Sequence, residues 1–162
     1  MKLKLALAQI NTVLGDVEQN LAKHLKIIDQ ARKGGAELVV FPELSLTGYV
    51  LQDLAPTVAH KVDASDPIFA KLLEASREID IMVGFVEEDM RNRFYIASAY
   101  LSGGKALHVH RKVYLPTYGL FDEGRFFAWG DGVSAFDTRF GRVGMLIDRK
   151  STRLNSSHRI RS

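Results

Sequence analysis

Three ionisable side chains fall where chemistry is possible. Glu43 lies in Val40-Phe-Pro-Glu-Leu-Ser-Leu-Thr-Gly-Tyr49, straight after an apolar run that reads as a buried strand. A carboxylate at the carboxyl end of an internal strand is where α/β sheets usually place function. Lys112 ends Leu107-His-Val-His-Arg-Lys-Val113, whose alternation puts His108, His110 and Lys112 on one face and Leu107, Val109 and Arg111 on the other. Glu123 lies in Leu115-Pro-Thr-Tyr-Gly-Leu-Phe-Asp-Glu-Gly-Arg-Phe-Phe127. Phe121, Phe126 and Phe127 would pack that loop on the body and partly bury its acidic pair. Carboxylates buried beside a lysine make an acid–base arrangement, since the lysine lowers a carboxylate pKa while desolvation raises it. Taken alone, the loop still reads first as a solvated acidic turn.

Other chemistries fail on spacing or composition. Two histidines at i and i+2 suit a metal, but no third ligand of obvious spacing accompanies His108 and His110, and a polar sheet edge explains the pair. No metal and no cofactor is expected. Gly103-Gly-Lys105-Ala106 lacks the spacing and the final Ser/Thr of a phosphate-binding loop. The chain has no cysteine, so it has no disulfide, no thiolate metal site and no thiol nucleophile.

The elements that must position these residues alternate in type. Residues 3–9 read as a buried first strand. Asp16, with Gln19 three positions later, resembles a capping box. Val17, Leu21, Leu25 and Ile28 recur at helical spacing, which predicts a helix over 17–33 ended by Gly34 and Gly35. Residues 37–41 form a short apolar strand, parallel to the first in a βαβ rhythm. Asp66-Pro67 is a helix start, and 81–86 reads as another buried strand. Residues 93–101 and 105–113 predict a hairpin around Gly103-Gly104, and 133–138 with 142–147 a second.

The 162 residues suit one domain. Their formal charge of +3 belongs to the end of the chain. Arg149, Lys150, Arg153, Arg159 and Arg161 face only Asp148 within 148–162, and residues 1–147 carry a net charge of −1. Nucleic-acid binding by the body thereby loses its compositional argument. No stretch reaches the roughly 18 apolar residues of a membrane span, and the start is too short and interrupted for a signal peptide. The cytoplasm is the expected location. The aperiodic basic segment 148–162 resembles a translated sequencing-adapter read and is expected to be non-native, leaving 1–147 as a partial domain.

Together the motifs resemble the nitrilase, or carbon–nitrogen hydrolase, superfamily. The matching pieces are Ala8-Gln-Ile-Asn11, Phe41-Pro-Glu-Leu-Ser-Leu-Thr-Gly48, His110-Arg-Lys112 with the loop to Glu123, and Phe140-Gly-Arg-Val-Gly-Met-Leu-Ile147. They stand in family order over residues 1–147. The details, among them Leu46-Thr-Gly-Tyr-Val-Leu-Gln-Asp-Leu54, are most similar to the glutaminase domain of glutamine-dependent NAD synthetases.

The resemblance implies the first part of a four-layer α-β-β-α sandwich; the rhythm of the sequence supports only mixed α/β. It further implies amide cleavage through a covalent thioester. Glu43 would be the general base, Lys112 the oxyanion stabiliser, Glu123 the residue positioning groups beside it, and Tyr118 a substrate-side contact. The substrate would be a small-molecule amide, glutamine by preference, and the complete protein a possible homo-oligomer. The family's nucleophilic cysteine should follow Ile147, where this chain has Asp148. The chain as written is therefore expected to be inactive. Two readings compete: a free-standing amidase or nitrilase-type hydrolase, and a shortened paralogue acting as a non-catalytic binding module. A basic-tail nucleic-acid binder comes third.

Overall fold

The computed structural model describes residues 2–117 and 122–147. Tyr118, Phe121 and the segment 148–162, Asp148 included, lie outside the described residues. In chain order the elements are β1 (Leu5–Leu7), α1 (Val17–Lys33), β2 (Leu38–Val40), a 3₁₀ turn (Gln52–Leu54), α2 (Pro67–Ala75), β3 (Asp80–Glu88), β4 (Phe94–Ser102), β5 (Lys105–Arg111), α3 (Glu123–Phe126), β6 (Ala135–Thr138) and β7 (Gly141–Gly144).

Local signals set the helix starts. The Asp16 carboxylate accepts the Gln19 N–H at 2.9 Å, and Asp66 accepts from Ile68 at 2.9 Å and Phe69 at 3.1 Å. Each cap satisfies donors that have no partner within the helix. Gly35, at φ +75°, turns the chain out of α1 into β2.

The main sheet runs β1-β2-β3-β4-β5. β1, β2 and β3 are parallel, as βαβ crossovers require, and β3, β4 and β5 are antiparallel through tight turns. One face is covered by α1 and α2, with Leu21, Ile28, Phe69 and Leu72 packed on Ile81, Val83, Phe85, Ala97 and Ala99. The β6–β7 hairpin covers part of the opposite face. Phe136 stacks on His108 at 4.4 Å and meets the edge of Tyr100 at 5.2 Å, and Met145 packs with Leu38 and Tyr100. Helix, sheet and second sheet are thus three successive layers of an α/β sandwich. No helix among the described residues is long and apolar enough to cross a membrane.

The expectation of a buried first strand needs correction. Ala6 and Ala8 pack on the helix-side core, but Leu5 is 46% and Leu7 75% exposed. β1 is an edge strand, and its leucines sit on the other face, beyond the part that the hairpin covers. Alternation explains both halves of the observation.

Candidate active site

Glu43 is held by its backbone. Phe41 donates its N–H to the Met82 carbonyl at 2.9 Å, which keeps the chain on β3 as far as Pro42. Leu44 then adopts φ +50°, a left-handed conformation that a branched residue holds only when its surroundings enforce it. Those surroundings are visible. Leu46 N–H reaches the Gly84 carbonyl at 3.1 Å, and Leu44 is buried at 1% exposure among Val86, Ile96 and Phe127. Strand β3 accepts so close a neighbour because residue 84 has no side chain.

A buried polar column supports this bend from α1. Asn20 donates to the carbonyls of Val13 at 2.7 Å and Leu46 at 3.0 Å. His24 contacts the Asn20 carbonyl through Nδ1 at 2.7 Å and the Ser45 hydroxyl through Nε2 at 2.9 Å, and its ring stacks on Phe41 at 4.1 Å. Burial lowers the His24 pKa from 6.5 to about 4, against the opposing pull of the Asn20 carbonyl.

A pH dependence follows from that depression. Between pH 6.5 and pH 4 the unfolded chain binds the His24 proton and the folded chain does not. Stability should therefore fall as pH falls through that window, by about 3 kcal/mol from this residue. Urea unfolding at pH 7 and pH 4.5 checks it: His24→Gln should flatten the slope, and an unchanged slope would refute the assignment.

Lys112 continues β5 by one residue, its N–H donating to the Ile96 carbonyl at 2.8 Å. Its side chain is 4% exposed. The ammonium lies 2.8 Å from Glu43 Oε1 and 3.0 and 2.9 Å from the two oxygens of Glu123. Burial by itself lowers the lysine pKa, but the hydrogen bonds and charges of both carboxylates outweigh it, and the net shift is upward. That decides its chemistry. Lys112 is a fixed cation at neutral pH, suited to stabilising a developing oxyanion and unsuited to acting as an amine nucleophile.

Glu123 opens α3 and is 6% exposed, so the solvated-turn reading of its loop does not hold. The acidic pair splits, with Asp122 exposed and Glu123 buried. The anchors are Phe127 and Leu115, both inside the cluster that contains Leu44 and Ile147. Tyr49 donates its hydroxyl to Glu123 Oε1.

The structure thus brings Glu43, Lys112 and Glu123 into contact, while Tyr118 and Asp148 fall outside the described residues. His108 is taken up by Phe136, and among the described residues no group of three His, Cys, Asp or Glu side chains could hold a metal. Sequence reasoning gave Tyr49, Asn20, His24 and Gly84 no role. Tyr49 stood inside a quoted motif, but its partner is 74 residues away, and no local pattern signals such a contact. A cavity of about 230 Å³ lies against His110, Val113, Tyr114, Leu146 and Ile147, between the end of β5 and the segment leaving β7.

Residues 4–148 match the carbon–nitrogen hydrolase family. The glutamine-dependent NAD(+) synthetase of Thermotoga maritima is 34% identical over 148 residues, which is 90% of this chain and 25% of that protein. The synthetase of Acinetobacter baylyi is 32% identical over 146 residues, 89% of this chain and 26% of its own. The chain therefore spans about a quarter of the length of these relatives. Among solved structures, the glutamine-dependent NAD+ synthetase of Acinetobacter baumannii in complex with ADP superposes with a TM-score of 0.85 at 33% identity, covering 99% of this chain and 30% of that one. The NitN amidase of Nesterenkonia sp. AN1 shares the fold, with a TM-score of 0.78 at 23% identity over 92% of this chain and 58% of the amidase.

Proposed function

Since the chain belongs to the carbon–nitrogen hydrolase family, we propose that Glu43, Lys112 and Glu123 are amide-cleaving machinery whose preferred substrate, in the complete protein, is the side-chain amide of glutamine. The observation that carries this reading is the Lys112 ammonium held between two carboxylates at 2.8–3.0 Å. Glutamine enters from the relatives, which are named glutamine-dependent synthetases.

The roles follow from the charges. Glu43 is the more accessible carboxylate, with a 29% exposed side chain against 6% for Glu123, and suits proton transfer. It takes the proton of a thiol, whose sulfur attacks the amide carbon. The oxyanion that forms is stabilised by Lys112. Collapse returns the proton to the leaving nitrogen, ammonia departs, and a thioester remains. Glu43 then removes a proton from water, which releases the acid and restores the thiol. Glu123, tied to Tyr49, holds Lys112 in place.

This chain has Asp148 where the thiol is required. An aspartate carries no thiol, so no thioester can form there. We therefore read the chain as it stands as catalytically silent, with the ammonia-supplying activity belonging to a protein with cysteine at that position. Asp148 also favours a second reading, a non-catalytic module that binds the amide without cleaving it.

The test is a rebuilt enzyme in which residues 1–147 are followed by cysteine and the remaining chain of the Thermotoga maritima relative. Glutamine-dependent ammonia release is expected, and Glu43→Gln should lower it by about 10²–10⁴-fold. A folded rebuilt enzyme that releases none, or one indifferent to Glu43→Gln, would sink the proposal. Tight glutamine binding by the unaltered chain would favour the binding module.

A further inference from the structure

Resting on that reading, we infer that Gly130 is a positioning residue of the amide-cleaving site: having no side chain, it lets residues 128–130 clip onto the end of β5, so that one stretch of chain holds Lys112 by its carbonyl as well as by its ammonium.

Lys112 stands where the sheet gives out. β5 is the last strand in the order β1-β2-β3-β4-β5, and Lys112 lies one residue beyond its end at Arg111. The Lys112 N–H still donates to the Ile96 carbonyl of β4 at 2.8 Å. Its own carbonyl accepts from the Gly130 N–H at 2.9 Å, and the Ala128 N–H donates to the Phe94 carbonyl, at the start of β4, at 2.8 Å. Residues 128–130 thus tie the start of β4 to the end of β5. The same stretch carries Glu123: the Phe127 N–H donates to the Glu123 carbonyl at 2.9 Å, and the Phe127 ring is buried with Leu44 and Leu115.

Only glycine permits this approach. A Cβ at residue 130 would lie 2.8 Å from the Arg111 carbonyl carbon and 3.0 Å from Arg111 Cβ, with the carbonyl oxygen closer still. Arg111 is itself fixed, since its guanidinium donates twice to Glu87 at 2.7 Å and covers the Tyr95 ring at 4.1 Å. An added side chain would therefore push residues 128–130 off the sheet, and Glu123 moves with them. Lysine carries its charge on a flexible four-carbon stem, so its ammonium is placed only when the backbone beneath it is placed too. Residues 123–130 do both: Glu123 meets the ammonium at 2.9–3.0 Å, and Gly130 holds the carbonyl. Misplacement by about 1 Å can cost 10²-fold in a reaction that depends on alignment, so the clip has a catalytic consequence without touching substrate.

The test has two arms. In the full 162-residue chain, made with isotope-labelled lysine, NMR follows the Lys112 ammonium, identified by the loss of its signal in Lys112→Arg. Gly130→Ala should speed exchange of the ammonium protons with water about tenfold or more. Gly144→Ala, whose added Cβ meets nothing within 4 Å, should leave that exchange unchanged. In the rebuilt, cysteine-bearing enzyme, Gly130→Ala should lower kcat for glutamine about 10–100-fold and leave KM within about threefold, the pattern of lost alignment and retained binding. Unchanged ammonium exchange, or an undiminished kcat in an active rebuilt enzyme, overturns the role of Gly130 alone. A folded rebuilt enzyme that releases no ammonia with glycine at residue 130 overturns the amide-cleaving reading and this inference with it. Should Gly130→Ala not fold, the unaltered chain decides: the Gly130 amide should exchange about a hundredfold more slowly than that of exposed Asp131, and equal rates would overturn the clip.

Discussion

Lys112→Met lowers the stability of the folded chain by about 3–5 kcal/mol, the range for removing one partner of a buried ion pair. The reason is what remains. Glu123, 6% exposed, keeps its charge in a low-dielectric site and faces Glu43 with no cation between them. Methionine fills the space and supplies no donor. The thermal midpoint should drop by roughly 10 °C. By contrast, breaking the Arg32–Asp29 pair, 43% exposed on both sides and screened by solvent, should change stability little. Protonating a stranded carboxylate relieves it, so the deficit of Lys112→Met relative to the parent should shrink as pH falls, and Lys112→Met/Glu123→Gln should recover part of the loss at pH 7. A deficit independent of pH, or a double variant no better than the single, would mean that the charge on Glu123 is not what Lys112 compensates.

Gly84→Ala is the second large effect, and it is steric. A Cβ at residue 84 would lie 2.7 Å from Leu44 N and 3.0 Å from the Glu43 carbonyl carbon, with the Pro42 oxygen closer still. All three are backbone atoms, so no rotamer change relieves the clash. Either β3 or the 42–44 bend must move, at a cost of about 3 kcal/mol, and the bend is what aims Glu43 at Lys112. Gly144→Ala is the matched control, because nothing lies within 4 Å of its added Cβ. Its effect should stay below about 1 kcal/mol. Chemical denaturation of the two variants side by side checks the contrast, and equal losses would refute the close approach of Pro42-Glu43-Leu44 to β3.

Much of the frame was legible because its signals are local. Asp16 and Asp66 announce helices that begin where expected, and alternation in residues 107–113 placed His110 and Lys112 on one face, both of them buried. Glu43, Lys112 and Glu123 each stood out by context, and the structure brings them into contact. The support was not legible. Gly84 reads as an ordinary residue inside an apolar strand until the 42–44 bend is seen lying on it. His24 sits on α1, 21 residues from the Ser45 hydroxyl that it contacts. Whether Leu5 and Leu7 are covered depends on how far the hairpin reaches across the sheet, which no pattern within β1 records.

The central claim is that Glu43, Lys112 and Glu123 work as one unit that lacks only a thiol. It is tested most directly by kinetic non-additivity in the rebuilt, cysteine-bearing enzyme. Glu43→Gln and Lys112→Met should each lower kcat for glutamine by about 10²–10⁴-fold. Because they serve the same transition state, the double variant should be little slower than the worse single one. Losses that multiply in the double variant, or a single variant within tenfold of the parent, would contradict the account.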